Sequence, residues 1–70
     1  MTTLLLRGEH ITLAQALKAA GLADTGGQAK FLIREQQATV NGQLETRPGR
    51  KLVAGDHFGI LGQPEWVVSS

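Results

Sequence analysis

The chain has 70 residues, enough for one small domain whose single core provides only a few kcal/mol of net stability, roughly 3–5. Hydrophobic residues make up 41% of it, but only three are aromatic, so aliphatic side chains must fill the core and any function must lie on the surface. The absence of cysteine excludes disulfides and thiolate metal sites, no metal or other cofactor is expected, and a net charge of +1 predicts neither nucleic-acid nor membrane affinity until the charges are placed.

The N-terminal apolar run Leu4–Leu6, within the segment TLLLR at 3–7, is closed by Gly8 and predicts a short strand. Three leucines are far too few for a signal sequence or a membrane span, and no basic segment precedes them. We therefore expect a soluble, cytoplasmic protein without a membrane partner.

A first helix is predicted over residues 12–20. Thr12 and Gln15 have the spacing of a capping box, in which a hydroxyl and a side-chain amide each satisfy a free backbone N–H at the helix start. Ile11 precedes them as a hydrophobic staple, and Gly21 supplies the left-handed residue that ends the helix. The apolar positions that share one helix face are Leu13, Ala16, Leu17 and Ala20.

A second helix begins at Thr25, which has the capping-box spacing to Gln28 and leaves Gly26 and Gly27 in the first turn. Because each glycine weakens a helix by up to about 1 kcal/mol, the pair has two interpretations, a frayed end or a place where another backbone approaches closely. The positions predicted to face inward are Ala29, Leu32, Ile33 and Gln36, while Lys30 and Arg34 lie one turn apart on a different face.

Phe31 lies on neither of these two stripes. At about 100° per residue it falls nearly opposite Ala29 and next to Lys30 and Arg34. Two roles are open, stacking on a nucleic-acid base or packing beneath the N-terminal strand or near Trp66, and we favour the packing role.

The second half of the chain predicts several short strands. Asn41-Gly42, between ATV and QLE, predicts a β-hairpin because both residues tolerate the positive φ angles of a two-residue type I′ turn. A turn dense in positive charge follows at residues 47–51, then two short strands around Ala54-Gly55-Asp56 and a last strand in EWVV. The order of one strand, two helices and four or five strands indicates a single α+β domain over residues 1–70.

Taken in order, these motifs resemble the S-four-type RNA-binding domain, also called the alpha-L motif. That family has a short helix ending in Gly-Leu, a Ser or Thr, a second helix with Ala and Leu-Ile, then Val-Asn-Gly, a basic turn and Gly-Asp. The resemblance covers about residues 11–60 and is greatest to the small, stand-alone bacterial members. The matching residues are Gly21-Leu22, Thr25, Ala29, Leu32-Ile33, Val40-Asn41-Gly42, Arg47-Pro48 and Gly55-Asp56.

The sequence departs from the family pattern at three positions. Gly26 stands where members joined to ribosomal or RNA-modifying proteins usually carry arginine, so one expected phosphate contact is missing. Gln37 stands where a glycine is expected at the end of the second helix, and Phe31 stands where a polar side chain is usual.

The resemblance implies two short helices packed on a small, mostly antiparallel sheet, and a protein that binds structured RNA through a basic surface on the second helix and the hairpin and turn. The RNA-binding residues it implies are Lys18, Thr25, Gln28, Lys30, Arg34, Asn41, Arg47, Arg50 and Lys51. The bare N–H groups at the start of the second helix would add an anion site. The expected partner is ribosomal or transfer RNA, in a ribosome-associated setting.

Simpler roles remain open for several of these residues. A Lys/Arg pair at i, i+4 is usually a solvated helix face, Asn41 has a role in the turn, and Thr25 is a helix cap. Catalysis is not expected because the sequence has no nucleophile–base–carboxylate set, no phosphate-loop fingerprint and no metal-ligand spacing. The alternative function is protein interaction or self-association, through a strand edge or an apolar patch around Phe31, Leu4–Leu6 and Trp66.

Overall fold

Nine short elements follow one another along residues 2–70, the part of the chain that the computed structural model describes. They are β1 (Thr2–Leu5), β2 (Ile11–Thr12), α1 (Leu13–Ala19), α2 (Gly26–Arg34), β3 (Ala38–Val40), β4 (Gln43–Leu44), β5 (Lys51–Leu52), β6 (His57–Ile60) and β7 (Trp66–Ser69). Neither helix is long and apolar enough to cross a membrane. The predicted α+β class is confirmed.

Five strands form the main sheet, in the order β1-β7-β6-β3-β4. Its neighbouring strands are antiparallel except β1 and β7, which run parallel with Thr2 opposite Trp66. Between β3 and β4, Asn41 (φ 52°) and Gly42 (φ 83°) form the two-residue turn, with Val40 paired to Gln43. The sheet is therefore mostly antiparallel, and the predicted hairpin is confirmed.

A separate two-stranded ladder joins β2 to β5, with Ile11 opposite Leu52. The sequence pattern predicts Ile11 only as a helix staple, and β2 was not predicted. A two-residue strand has no pattern of its own, since its only defining feature is a partner far along the chain. This ladder brings the start of α1 next to the basic turn at residues 47–51.

The first helix begins and ends as predicted. The Gln15 N–H donates to Thr12 Oγ1 at 3.2 Å and the Thr12 N–H donates to Gln15 Oε1 at 3.0 Å, so both halves of the capping box are formed. At the other end Gly21 has φ 76°, and the Leu22 N–H donates to the Leu17 carbonyl at 2.9 Å, as in a Schellman motif.

The second helix begins as predicted but with a different cap. The Gln28 N–H donates to Thr25 Oγ1 at 3.0 Å, whereas Gln28 Oε1 accepts from the Asp24 N–H and not from that of Thr25. The second capping box is therefore only half correct. Because Gln28 Oε1 accepts from Asp24 and not from Thr25, the Gln28 side chain fixes Asp24, the residue before the cap.

The second helix also ends differently from the expectation. Gln36, not Gln37, takes the left-handed conformation, with φ 61°, and the Gln37 N–H donates to the Leu32 carbonyl at 3.0 Å. Gln36 is exposed, so its predicted place on the inward face is wrong. The reason is that the last helical residue is Arg34, so the 3.6-residue period no longer applies at position 36.

One hydrophobic cluster joins both helices to the sheet. Its largest fully buried side chains are Phe58, Leu13, Leu17, Ile33, Leu52 and Val68. The ring of Trp66 stacks on that of Phe58 with centroids 6.3 Å apart. The buried side of α2 consists of Ala29 and Ile33, with Leu32 packed at the margin.

Phe31 does not pack as we favoured. Its side chain is 62% exposed, and it is not among the residues packed against the core. It lies on the side of α2 opposite Ala29, while Leu4 and Trp66 already pack against the core. Neither segment covers Phe31, and the packing prediction is wrong.

Candidate nucleic-acid interface

A surface hollow of about 450 Å³ lies where α1, the start of α2 and the turn at residues 47–51 meet. We call this turn the basic turn. The hollow is lined by Thr12, Ala14, Gln15, Lys18, Gly26, Lys30, Pro48 and Gly49. Lys18 comes from α1, Lys30 from α2, and Pro48 and Gly49 from the basic turn. Folding therefore gathers two predicted cations and the basic turn around one depression.

The basic turn is fixed to the start of α1 by backbone hydrogen bonds. The Leu13 N–H donates to the Arg50 carbonyl at 2.8 Å, and the Ala14 N–H donates to the Pro48 carbonyl at 3.1 Å. First-turn N–H groups have no partner within their own helix, so these bonds satisfy two donors that would otherwise need water. The start of α1 consequently holds the turn and is not an anion site.

The start of α2 is open in a way that the start of α1 is not. Within residues 2–70, no acceptor bonds the N–H groups of Gly26 and Gly27, whereas the Gln28 N–H is capped by Thr25. A Cβ added at Gly26 would meet nothing within 4 Å, and one at Gly27 would meet only Thr25 Oγ1, at 3.8 Å. No backbone of the described chain approaches the glycine pair, and neither glycine has a positive φ. The fold itself therefore does not require glycine here.

Four of the predicted cations are exposed and, within residues 2–70, form no ion pair. They are Lys18, Lys30, Arg34 and Lys51. Lys18 and Lys30 line the hollow, while Arg34 lies one turn after Lys30 on α2, and Lys51, the last residue of the basic turn, begins β5. Their ammonium and guanidinium groups are free to meet phosphates.

The other two predicted cations are bound to a carboxylate that sequence reasoning had passed over. Glu45 accepts from Arg47 Nε at 2.9 Å and Arg47 Nη2 at 3.0 Å, and its Oε1 also accepts from Arg50 Nη1 at 2.7 Å. Glu45 is buried and is the one charged residue so placed in the described chain. The signal that could have found it is a glutamate two and five residues before arginines that flank a Pro-Gly turn.

The electrostatics of this trio follow from its hydrogen bonds. The hydrogen bond from Arg47 is the largest cause that lowers the pKa of Glu45 from 4.5 to about 2; burial opposes it, and the bond from Arg50 adds to it. The same pairing raises the pKa of Arg47. Glu45 is thus ionised at neutral pH, and the trio keeps one net positive charge.

A family model of the S4 domain matches residues 4–68. The chain belongs to the S4 domain family. The resemblance inferred from residues 11–60 is confirmed, and the match also includes the second half of β1 and most of β7.

This S4 domain is similar to two curated relatives and to one solved structure. It is 40% identical over 60 residues to the "Putative RNA-binding protein YbcJ" of Escherichia coli, covering 86% of each chain. It is 44% identical over 54 residues to the "Probable ribosome maturation protein RlbA" of Bacillus subtilis, covering 77% of this chain and 76% of the relative. The solution structure of Escherichia coli YbcJ, described as an alpha-L motif involved in RNA binding, superposes with a TM-score of 0.75 at 37% identity and covers 100% of this chain and 89% of that one.

The polar residues predicted to contact RNA all have structural partners in this S4 domain. Thr25 and Gln28 cap the start of α2, as described above. The Asn41 Nδ2 donates to Asp56 Oδ1 at 3.2 Å, and Asn41 Oδ1 accepts from the His57 N–H at 2.9 Å. The Val53 N–H that bonds Asp56 is the main cause of a lowered pKa at that carboxyl, with Asn41 adding to it. The turn role of Asn41 is confirmed, and RNA contact by these three side chains stays a prediction.

The apolar patch of the alternative function is only partly exposed in this S4 domain. Leu6 is buried, Leu4 and Trp66 pack against the core, and only Leu5 and Phe31, each 62% exposed, remain open. The other large exposed apolar residues, Leu44, Val53 and Leu61, come from different segments. Single exposed apolar side chains are normal on protein surfaces. Within residues 2–70, no group of three or more His, Cys, Asp or Glu side chains is placed to hold a metal ion.

Proposed function

We propose that this S4 domain binds structured RNA in the cytoplasm, and that this RNA is ribosomal RNA in preference to transfer RNA. The observation that carries the proposal is the hollow in which Lys18 and Lys30, from two different helices, lie beside the basic turn and Gly26. The names of the relatives support it, since one is called an RNA-binding protein and another a ribosome maturation protein. The basic surface consists of Lys18, Lys30, Arg34, Arg47, Arg50 and Lys51.

The chemistry of this surface is suited to phosphate. Cations that contact phosphates release condensed counterions, so each contact contributes about −0.9 to the log–log salt slope for a duplex and about −0.7 for a single strand. The two N–H groups of Gly26 and Gly27 add donors at the positive end of a helix dipole, without a side chain between them and the ligand. Such contacts follow the path of the backbone and recognise RNA by shape.

The proposal includes binding only and no catalytic step. The hollow contains two lysines, backbone groups and hydroxyl and amide side chains, but no carboxylate, histidine or cysteine. A lysine or threonine nucleophile is commonly activated by an adjacent general base, and the lining contains no carboxylate or imidazole for that role. The role suited to this lining is to hold a phosphate in place.

The decisive experiment is a titration of a fluorescent ribosomal RNA hairpin with the protein at several salt concentrations. The test variants are Lys18→Gln and Lys30→Gln, each of which removes one charge from the hollow. Arg7→Gln is the matched control, because Arg7 is the one Lys or Arg outside the proposed surface, and it is exposed. Each test variant should weaken binding and reduce the magnitude of the salt slope by about 0.7 to 0.9.

Two results would contradict the proposal. If the unaltered protein does not bind the hairpin at low salt, RNA binding itself is wrong. If Arg7→Gln weakens binding as much as the two lysine variants, the contact is diffuse attraction to positive charge and not binding at the hollow. A parallel titration with transfer RNA compares the two RNA classes.

A further inference from the structure

We propose that Glu45 is a positioning residue for RNA binding, whose carboxylate holds Arg47 and Arg50 in the geometry in which they meet phosphate. The inference rests on the proposed function and deepens it. It has an unusual consequence, namely that a negative charge within the basic surface strengthens the binding of a polyanion.

Both oxygens of the Glu45 carboxylate are used by the two arginines. Oε2 accepts from Arg47 Nε and from the Arg47 backbone N–H, at 2.9 and 3.3 Å, and Oε1 accepts from one terminal nitrogen of each guanidinium. The Glu45 side chain is only 10% exposed, while that of Arg47 is 71% exposed. The side chain of Arg50 is 35% exposed. The carboxylate therefore lies beneath the guanidinium group of Arg47, which stays on the solvent side.

The way Arg47 is held leaves its phosphate-binding edge free. A guanidinium group has five N–H donors, and Glu45 takes the edge formed by Nε and Nη2. One donor of Nη1 and the second donor of Nη2 form the other edge, which matches two oxygens of a phosphate. A phosphate can therefore bind Arg47 while Glu45 stays in place.

The backbone that carries Glu45 and the two arginines is attached to the rigid parts of the fold. The Glu45 N–H donates to the Ala38 carbonyl at 3.0 Å, which fixes it to the start of β3. On the other side, the carbonyls of Pro48 and Arg50 accept from the first turn of α1. The directions of Arg47 and Arg50 are thereby fixed relative to α1, and hence to Lys18 in the hollow.

Two opposing effects decide the sign of the contribution of Glu45. A free arginine loses rotamer freedom when it binds, which weakens affinity by about 2- to 12-fold for each side chain, and Glu45 has already imposed that order on two arginines. Repulsion between Glu45 and phosphate acts the other way. Two guanidinium groups lie on the carboxylate and screen it, so we expect the ordering effect to be the larger one.

The test compares two variants that each raise the net charge by one unit. Glu45→Gln keeps the shape of the side chain and removes the charge that holds the arginines. Glu35→Gln is the matched control, because Glu35 is exposed at the end of α2 and forms no ion pair within residues 2–70. Affinity and salt slope are measured on the ribosomal RNA hairpin, at a temperature at which circular dichroism finds each variant folded.

The expected result is a difference in sign. Glu45→Gln should bind about tenfold more weakly than the unaltered protein, although it carries more positive charge. Glu35→Gln should bind as tightly or more tightly. A residue that only stabilised the fold would leave the affinity of the folded protein unchanged or raised, so it would not produce this pattern.

A second variant covers the case in which Glu45→Gln does not fold. Glu45→Asp keeps the charge but shortens the side chain by one methylene, so it should also weaken binding. If Glu45→Gln, or Glu45→Asp in its place, binds as tightly as the unaltered protein or more tightly, the positioning role is overturned while RNA binding stands. If the unaltered protein does not bind, the proposed function fails first, and the two failures are distinguished.

Discussion

The Glu45→Gln substitution also makes a quantitative prediction about stability. The pKa of Glu45 falls from 4.5 to about 2 on folding, first because of the hydrogen bond from Arg47. A carboxyl whose pKa is lower in the folded state stabilises the fold above its unfolded pKa, and this contribution is lost as pH falls through the folded pKa. The full difference corresponds to about 3 kcal/mol at most. Arg47 is 71% exposed and solvent screens the pair, so we expect Glu45→Gln to cost about 1–2 kcal/mol at pH 7.

The assay is urea unfolding at pH 7 and pH 3, followed by the fluorescence of Trp66, the single tryptophan, which stacks on Phe58. At pH 3 the unfolded carboxyl is almost fully protonated and the folded one still mostly ionised, so the difference between the two proteins should fall to less than half its value at pH 7, roughly 0.5 kcal/mol. Glu35→Gln should change little at either pH. Equal differences at pH 7 and pH 3 would refute the reasoning, as would no difference at pH 7.

Three further predictions concern single side chains. Thr25→Ala should cost about 0.5–2 kcal/mol in thermal unfolding because the Gln28 N–H loses its cap, and Thr25→Ser should recover most of it; an unchanged midpoint would contradict the cap. Phe58→Ala should cost about 3–5 kcal/mol, comparable to the whole stability of so small a domain, so the emission of Trp66 should become that of an unfolded chain; a native emission spectrum would contradict its central place. Phe31→Ala should change the free energy of unfolding by less than about 0.5 kcal/mol, and a loss of several kcal/mol would show that Phe31 is packed after all.

Much of the local structure was predictable because its hydrogen bonds join residues only a few positions apart. The bonds between Thr12 and Gln15, the left-handed Gly21 and the Asn41-Gly42 turn depend on neighbouring side chains and on the φ angles that these residues tolerate. The order of such motifs was also sufficient to predict the family, which the match over residues 4–68 confirms.

The two wrong predictions of burial, for Gln36 and Phe31, depended on the end of a helix and on which segment covers a side chain. Gln36 continues the inward-facing pattern of α2 in the sequence, but the helix ends before it, and the residue takes a left-handed conformation instead. Phe31 was predicted to pack beneath the N-terminal strand or near Trp66, but Leu4 and Trp66 pack against the core and leave Phe31 exposed. Hydrophobic periodicity predicts which side of a helix is buried, but it does not predict whether another segment of the chain covers the opposite side.

By itself, then, the sequence determined the two helix starts, the hairpin, the α+β order and the residues that carry positive charge. Only the tertiary structure decided how those charges are arranged: Lys18 and Lys30 line one hollow, and Arg47 and Arg50 are held by Glu45. The physical reason is that caps and turns are formed by short-range bonds within one segment. An ion pair between Glu45 and the arginines of a turn needs that turn to be fixed against α1, and this is set by backbone bonds from Leu13 and Ala14, more than thirty residues earlier in the chain.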